Sequence, residues 1–207
     1  MPPPVSPIRG IAALDRLAER LADAAGLRLG IADSPAELIA VHRLRFRHAS
    51  ERGRERREDH ADGLERDDFD TRALQICAWD GEVLVGTLRL VLPMPGKRLP
   101  AEEAFSLTVE PVGEVVDLGP PVIAAELGGE RAQAAADGLL AQAWFETRAR
   151  GYTMIAGTAS DRALERYRAL GLELEPLGPA RPYQGEDCRP VRGPAGAHGP
   201  GGSEGLR

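Results

Sequence analysis

Cysteine is nearly absent. Cys77 and Cys188 are the two thiols in 207 residues, too few and too far apart for a disulfide framework or a zinc site, so both are expected to be free. Long apolar runs are missing as well. No stretch approaches the roughly 18 consecutive apolar residues of a membrane span. The opening MPPPVSPIRG has neither the basic start nor the apolar stretch of a secretion signal. These absences point to a cytoplasmic protein with no membrane span. There is no basic excess, with 26 Lys and Arg against 32 Asp and Glu and a net charge of −6. That balance excludes a general nucleic-acid binder. The chain carries no Gly-x-Ser-x-Gly, no phosphate-binding P-loop and no dinucleotide fingerprint. Four histidines show no metal spacing, so no metal is expected. Two Trp, three Tyr and four Phe leave the core mainly to Leu, Val, Ile and Ala.

What is present fits one domain with appendages. Residues 1–10 hold four prolines and read as a flexible lead-in. Residues 193–207 hold six glycines and two prolines, which reads as a disordered tail unable to offset its ordering entropy. Between them, Ile11, Leu14, Leu17, Leu21 and Ala25 recur at helical spacing, predicting an amphipathic helix over 11–26. A folded domain is expected over 27–192.

Within that domain LRLGIA at 27–32 reads as a strand, and Ser34-Pro35 with Glu37 reads as a capping box opening a helix. Residues 73–93 form two strand-like runs about Asp80-Gly81, a hairpin signal. A short helical piece near 100–106 precedes a strand at 113–119. A long helical pattern at 130–150 ends at Gly151, a strand follows at 153–159 and a helix at 161–170. Strands near 172–177 and 186–191 close the chain. This order predicts an α/β (α+β) domain with a mixed sheet.

The closing stretch GTASDRALERYRALGLEL places Ser160, Ala163, Tyr167, Gly171 and Leu172 at spacings that resemble the GCN5-related N-acetyltransferase (GNAT) superfamily. The front half, through LRFRHASERG, LERDDFDTRA and DGEVLVGTLRLVLP, resembles the acyl-homoserine-lactone (autoinducer) synthases and the long-chain N-acyl amino acid synthases of that superfamily. Glu65, Asp67 and Asp70 fill their Glu-x-Asp-x-x-Asp spacing. Arg45, Arg89 and Phe105 match an arginine of the preceding helix, one of the second hairpin strand, and a phenylalanine after the proline loop. The resemblance implies a mostly antiparallel sheet splayed in the middle and flanked by helices. It also implies an N-acyltransferase that moves an acyl group from a thioester, on acyl carrier protein or coenzyme A, to the amine of an amino acid or related small molecule. No permanently bound cofactor is expected beyond that donor.

The chain departs from the family pattern in two places. Asp117 fills an acidic position on the strand, but the arginine that follows it in the family is Pro120 here. The phosphate-binding signature survives only as Glu126-Leu127-Gly128-Gly129-Glu130-Arg131-Ala132. Gly129 backbone and Arg131 remain as candidate donor contacts, since N–H groups at a helix start accept a pyrophosphate.

Roles follow on this reading, each beside a plainer one. Tyr167, by resemblance, protonates the departing thiolate, or it simply packs on an amphipathic helix. Asp117 assists loss of the amine proton, or it makes a surface or helix-cap contact. Arg45, Arg89, Glu65, Asp67 and Asp70 form an ionic cluster that shapes the acceptor pocket, with Phe105 beside it. Val115, Val116 and Leu118 form the strand over which the thioester carbonyl lies, polarised by backbone N–H groups. Leu139, Leu140 and Trp144 line the acyl chain. Arg52, Arg54, Arg56 and Arg57 either form a solvated charge run or dock an acidic acyl carrier protein. Residues 58–70 hold seven acids and one arginine, so the acidity of the whole chain is concentrated where the resemblance lies. Pro120 and the eroded phosphate signature motivate the alternative, a catalytically inactive GNAT-like module that binds an acyl thioester, acyl carrier protein or a protein partner.

Overall fold

The computed structural model describes residues 7–52 and 60–195. The chain runs α1 (Pro7–Ala25), β1 (Arg28–Ile31), α2 (Pro35–Glu51), a 3-10 turn (Asp68–Arg72), β2 (Ala73–Asp80), β3 (Val83–Val91) and α3 (Pro100–Phe105). It continues through β4 (Val115–Leu118), β5 (Val122–Ile123), α4 (Gly129–Ala149), β6 (Met154–Ser160) and α5 (Asp161–Ala169). The last strands are β7 (Glu175–Pro176), β8 (Arg181–Tyr183) and β9 (Glu186–Pro194). The sheet order is β1-β2-β3-β4-β6-β9-β7, with β5 on β3 and β8 on β9. Every pairing is antiparallel except β4 with β6.

Alternation along the strands divides the sheet into two faces. Ile76, Ala78, Leu88, Leu90 and Val116 pack on one face against Ala135, Leu139 and Ala143 of α4. Cys77 and Trp79 turn to the other face and meet Val41 of α2. Val91 and Val115 also lie on that face, with Leu99 at the start of α3. Full burial of one such leucine or valine contributes about 1.5–3 kcal/mol. The capping box at α2 forms as expected: Glu37 N–H donates to Ser34 Oγ at 3.2 Å and Ser34 N–H to Glu37 Oε2 at 3.3 Å.

Several boundaries differ from the sequence reading. The first helix begins at Pro7, inside the expected lead-in, because proline suits the first helical turn, where its missing N–H is not needed. At the other end β9 runs on to Pro194, and Ala195 is fully buried beside Ile11, Ala18 and Trp144. The glycine-rich composition therefore does not keep Gly193, Pro194 and Ala195 out of the fold. Residues 1–6 and 196–207 lie outside the described residues. The hairpin turn sits one residue later than expected: Asp80 pairs with Val83, leaving Gly81-Glu82 at the tip with Gly81 at φ 59. The closing strand at 172–177 shrinks to Glu175–Pro176, and β5 and β8 were not anticipated.

The sheet splits between β4 and β6. Their parallel pairing ends at Leu118 with Gly157. Beyond that point the β4 chain follows β3, with Gly119 N–H donating to Arg89 O at 2.9 Å and Val122 pairing with Thr87. Meanwhile β6 stays with β9 as far as Ser160. Gly157 permits the close approach at the fork, since a Cβ there would lie 2.6 Å from Leu118 O.

Candidate active site

The fork opens a cleft of about 540 Å³. Gly119, Pro120, Pro121 and Val122 wall one side, Thr158, Ala159 and Ser160 the other, while Gln133, Ala136 and Leu140 reach it from α4. Tyr167 of α5 lines it, as do Tyr183 of β8 and Arg45, Glu65 and Arg89. The described residues hold no helix long and apolar enough to cross a membrane.

The five charged residues singled out in the sequence do come together. Arg45 donates to Asp70 Oδ1 at 2.6 Å and to Glu65 Oε1 at 3.1 Å. Arg89 donates to Asp67 Oδ1 at 2.7 Å and to Asp70 Oδ1 at 3.2 Å. Asp70 is thus shared by two guanidinium groups, and Gln75 donates to the same oxygen at 2.8 Å. The 3-10 turn presents these acids: Phe69 N–H donates to Asp67 Oδ1 and Asp67 N–H to Asp70 Oδ2, each at 2.9 Å. Burial pushes the Asp70 carboxyl up, yet Arg45 and Arg89 outweigh it and hold the group below its usual range. Arg89 is desolvated too, but Asp67 and Asp70 raise its pKa overall. Two arginines against three carboxylates give the cluster a formal charge of −1, and Arg45, Glu65 and Arg89 carry it to the cleft.

Tyr167 sits where α5 closes on the cleft. Burial, offset in part by Arg166 and reinforced by Asp137, raises the phenol pKa, so it keeps its proton at neutral pH. A glycine C-cap fixes its position. Leu172 N–H reaches Tyr167 O at 2.8 Å and Gly171 N–H reaches Arg168 O at 2.9 Å, with Gly171 at φ 84. That paired bonding turns the chain back under the tyrosine.

Other expected site residues fall elsewhere. Asp117 is buried and accepts the Ala101 N–H at 2.8 Å, capping α3 instead of lining the cleft. Val115 and Val116 are core residues on opposite faces, and Leu118 borders a smaller apolar slot. Backbone donors along this strand are not free for a carbonyl, because Gly119 N–H is bonded to Arg89 O and Pro120 and Pro121 have none. Gly129 starts α4 but stands outside the cleft, and Arg131 is bound to Asp80 at 2.7 Å. Phe105 packs against Tyr183, with ring centroids 5.7 Å apart, and under Arg181 at 4.4 Å. It thereby supports the cleft wall from behind. Leu139 is wholly buried in the sheet core; Leu140 packs against that core and borders the cleft and the smaller slot, and Trp144 borders the slot. Arg52 lies at the cleft, 4.0 Å from Glu186. Arg54, Arg56 and Arg57 lie outside the described residues. Both cysteines are free, and burial pushes the Cys77 thiol up to about 12.

Sequence reading missed Tyr183. It lies in GPARPYQGED, whose prolines and glycines mask a three-residue strand. Burial, and then the charge of Asp117, raise its phenol pKa.

This fold has counterparts among known proteins. Residues 44–135 match the family model of the acetyltransferase (GNAT) domain. The chain has the GNAT acyltransferase fold. Among solved structures it is similar to the CoA-dependent acyl-homoserine lactone synthase MesI, with 22% identity and a TM-score of 0.66 over 82% of this chain and 89% of that one. It is similar to the AHL synthase LasI at 17% identity and a TM-score of 0.64, covering 83% and 90% of the two chains. FeeM, an N-acyl amino acid synthase from uncultured soil microbes, aligns at 15% identity with a TM-score of 0.57 over 81% and 89%. No curated protein matches the sequence. At these identities the likeness is one of GNAT fold, and the expected splayed, mostly antiparallel sheet is the one observed.

Proposed function

We propose that this GNAT-fold chain is an N-acyltransferase that moves an acyl group from a thioester, on coenzyme A or acyl carrier protein, to the amine of an amino acid or related small molecule. The observation that carries this reading is the cleft at the β4–β6 fork, lined by Tyr167 and by Arg45, Glu65 and Arg89 of the ionic cluster. The amine nitrogen attacks the thioester carbonyl, the C–N bond forms and the C–S bond breaks. Tyr167 gives its proton to the departing thiolate. The amine's proton leaves to water or to a carboxylate lining the cleft, where Glu65 and Glu186 stand. Asp117 takes no direct part, because its carboxyl is spent on α3. Among the structural relatives, MesI is a CoA-dependent acyl-homoserine lactone synthase and FeeM an N-acyl amino acid synthase, which supports this class of donor and acceptor.

Mass spectrometry of whole protein incubated with mixed acyl-CoA and acyl-carrier-protein donors and a pool of amino acids tests the reading. N-acyl products that vanish without enzyme are expected, and their absence with every donor overturns it. The second reading, a non-catalytic module, draws on Pro120 and Pro121, which deprive the cleft wall of backbone donors. Saturable thioester binding without turnover favours it.

A further inference from the structure

The β8–β9 hairpin brings to the cleft a hydroxyl that the proposed reaction leaves unused. Tyr183 pairs with Glu186 across a two-residue turn, Gln184-Gly185. Both turn residues have positive φ, 51 and 84, the backbone shape that suits a tight hairpin. Cys188 lies opposite Ser160, the last residue of β6. The hairpin tip therefore runs on past the end of β6, and Tyr183, Gln184 and Glu186 all line the cleft.

The half-buried Tyr183 ring is held in place. It packs on Phe105 with centroids 5.7 Å apart, and Arg181 stands 4.4 Å from the Phe105 centroid. Arg181 also donates to Ala104 O, tying the hairpin to α3. Gln184 Nε2–H donates to the phenol oxygen at 3.3 Å. The phenol's own proton has no acceptor among the described residues. Burial and then the Asp117 charge raise the phenol pKa, so the O–H is intact at neutral pH, and Arg89 and Asp67 act on it as well. With those three neighbours the hydroxyl stands beside β3 and β4, where the fork opens.

On that side the backbone has little to give a substrate carbonyl. Gly119 N–H is bonded to Arg89 O, Pro120 and Pro121 carry no N–H, and Val122 pairs back to Thr87. Attack of an amine on a thioester moves the C=O π pair onto oxygen, and a fixed donor aimed at that charge stabilises it. We infer that Tyr183 donates its O–H to the carbonyl oxygen of the bound thioester, a task the β4 backbone cannot perform. The inference rests on the thioester-donor reading above and adds a second tyrosine with a separate role. As the C–N bond forms, negative charge gathers on the oxygen that Tyr183 holds, and Tyr183 keeps its proton. When the C=O bond re-forms, the C–S bond breaks and the thiolate takes its proton from Tyr167.

Isothermal titration of the whole protein with two inert compounds tests it. One is the ketone analogue of octanoyl-pantetheine, with a methylene in place of sulfur, and the other is S-octyl-pantetheine, which has no carbonyl. The wild type should bind the ketone about 3–10-fold tighter, the worth of one hydrogen bond. Tyr183→Phe keeps the ring on Phe105 and should erase or reverse that preference, leaving the thioether affinity within about twofold. The infrared stretch of an isotope-labelled ketone carbonyl should rise in the bound variant relative to the bound wild type. With a thioester that turns over, kcat of Tyr183→Phe should fall about 100-fold or more. Equal wild-type affinities for the two compounds overturn the inference, and so does a ketone preference or carbonyl stretch that Tyr183→Phe leaves unaltered. Ketone preference that depends on Tyr183, without acyl transfer to any amine, keeps the contact and removes the acyltransferase reading. Full-rate acyl transfer by Tyr183→Phe does the reverse.

Discussion

The Asp117 carboxylate accepts the backbone N–H of Ala101 at 2.8 Å, tying the first turn of α3 to the middle of β4. Both residues are buried, Asp117 at 3% exposure and Ala101 at 0%. Phe105, at the far end of α3, packs on Tyr183 at the cleft. One carboxyl group therefore holds a short helix whose last residue supports the substrate wall.

That carboxyl makes stability depend on pH in an unusual direction. Burial pushes Asp117 from 3.8 up to about 6 in the folded protein, against the Ala101 bond that lowers it. The folded state then holds the proton more tightly than the unfolded chain. Its contribution is full below the unfolded value and is lost as pH rises toward the folded one. Between about pH 4 and 6 the wild type should lose roughly 3 kcal/mol relative to Asp117→Asn, whose amide oxygen can still accept from Ala101. Urea unfolding of both proteins at pH 4 to 8 reads this difference, and a flat difference refutes the raised pKa. Turnover of Asp117→Asn should stay within a few-fold of wild type.

The Arg45–Asp70 pair responds in the opposite sense. Arg45 is 5% exposed, and its loss leaves Asp70 with Arg89 and Gln75 to offset its burial. Arg45→Met should cost about 1–3 kcal/mol at pH 7. The loss should shrink as pH falls, because the Asp70 carboxyl, held low in the wild type, accepts a proton more readily without its partner. A pH-independent loss would mean that packing, rather than charge, carries the effect.

The sequence disclosed what is local or repetitive. Ser34 and Glu37 are three residues apart, so their capping box is readable without a fold. The hairpin strands alternate cleanly, and only the turn register needed the pairing of Asp80 with Val83. Asp67 and Asp70 were legible as a pair through spacing and resemblance together. The ion pair of Arg131 was not legible because its partner, Asp80, is 51 residues away. Asp117 shares strand parity with Val115 and so points away from α4, yet only the landing site of α3 shows what it meets. Ala195 sits in a segment whose glycines argue for disorder, and long-range burial beside Trp144 overrides that composition.

Tyr167 separates chemistry from packing. Tyr167→Phe deletes one oxygen and keeps the ring that walls both cleft and slot. If the phenol protonates the thiolate, kcat should fall about 100-fold or more while KM for the donor changes little. The melting temperature should barely move. Steady-state kinetics with a thioester of good leaving-group thiol gives a further check, since an easier departure should lessen the defect. An undiminished kcat would assign Tyr167 to the wall alone.

Two strand glycines allow the fork itself to be tested. At Gly30 an added Cβ would meet Trp79 at an ordinary 3.5 Å, and at Gly157 it would meet Leu118 O at 2.6 Å. Neither requires a positive φ. Gly30→Ala should therefore be neutral or stabilising by up to about 1 kcal/mol, since alanine restricts the unfolded chain. Gly157→Ala must instead push β6 from β4 where the parallel pairing ends. A loss of about 1–3 kcal/mol is expected. Urea melts of both variants measure the contrast, and equal stabilities would show that the strands do not need their close approach.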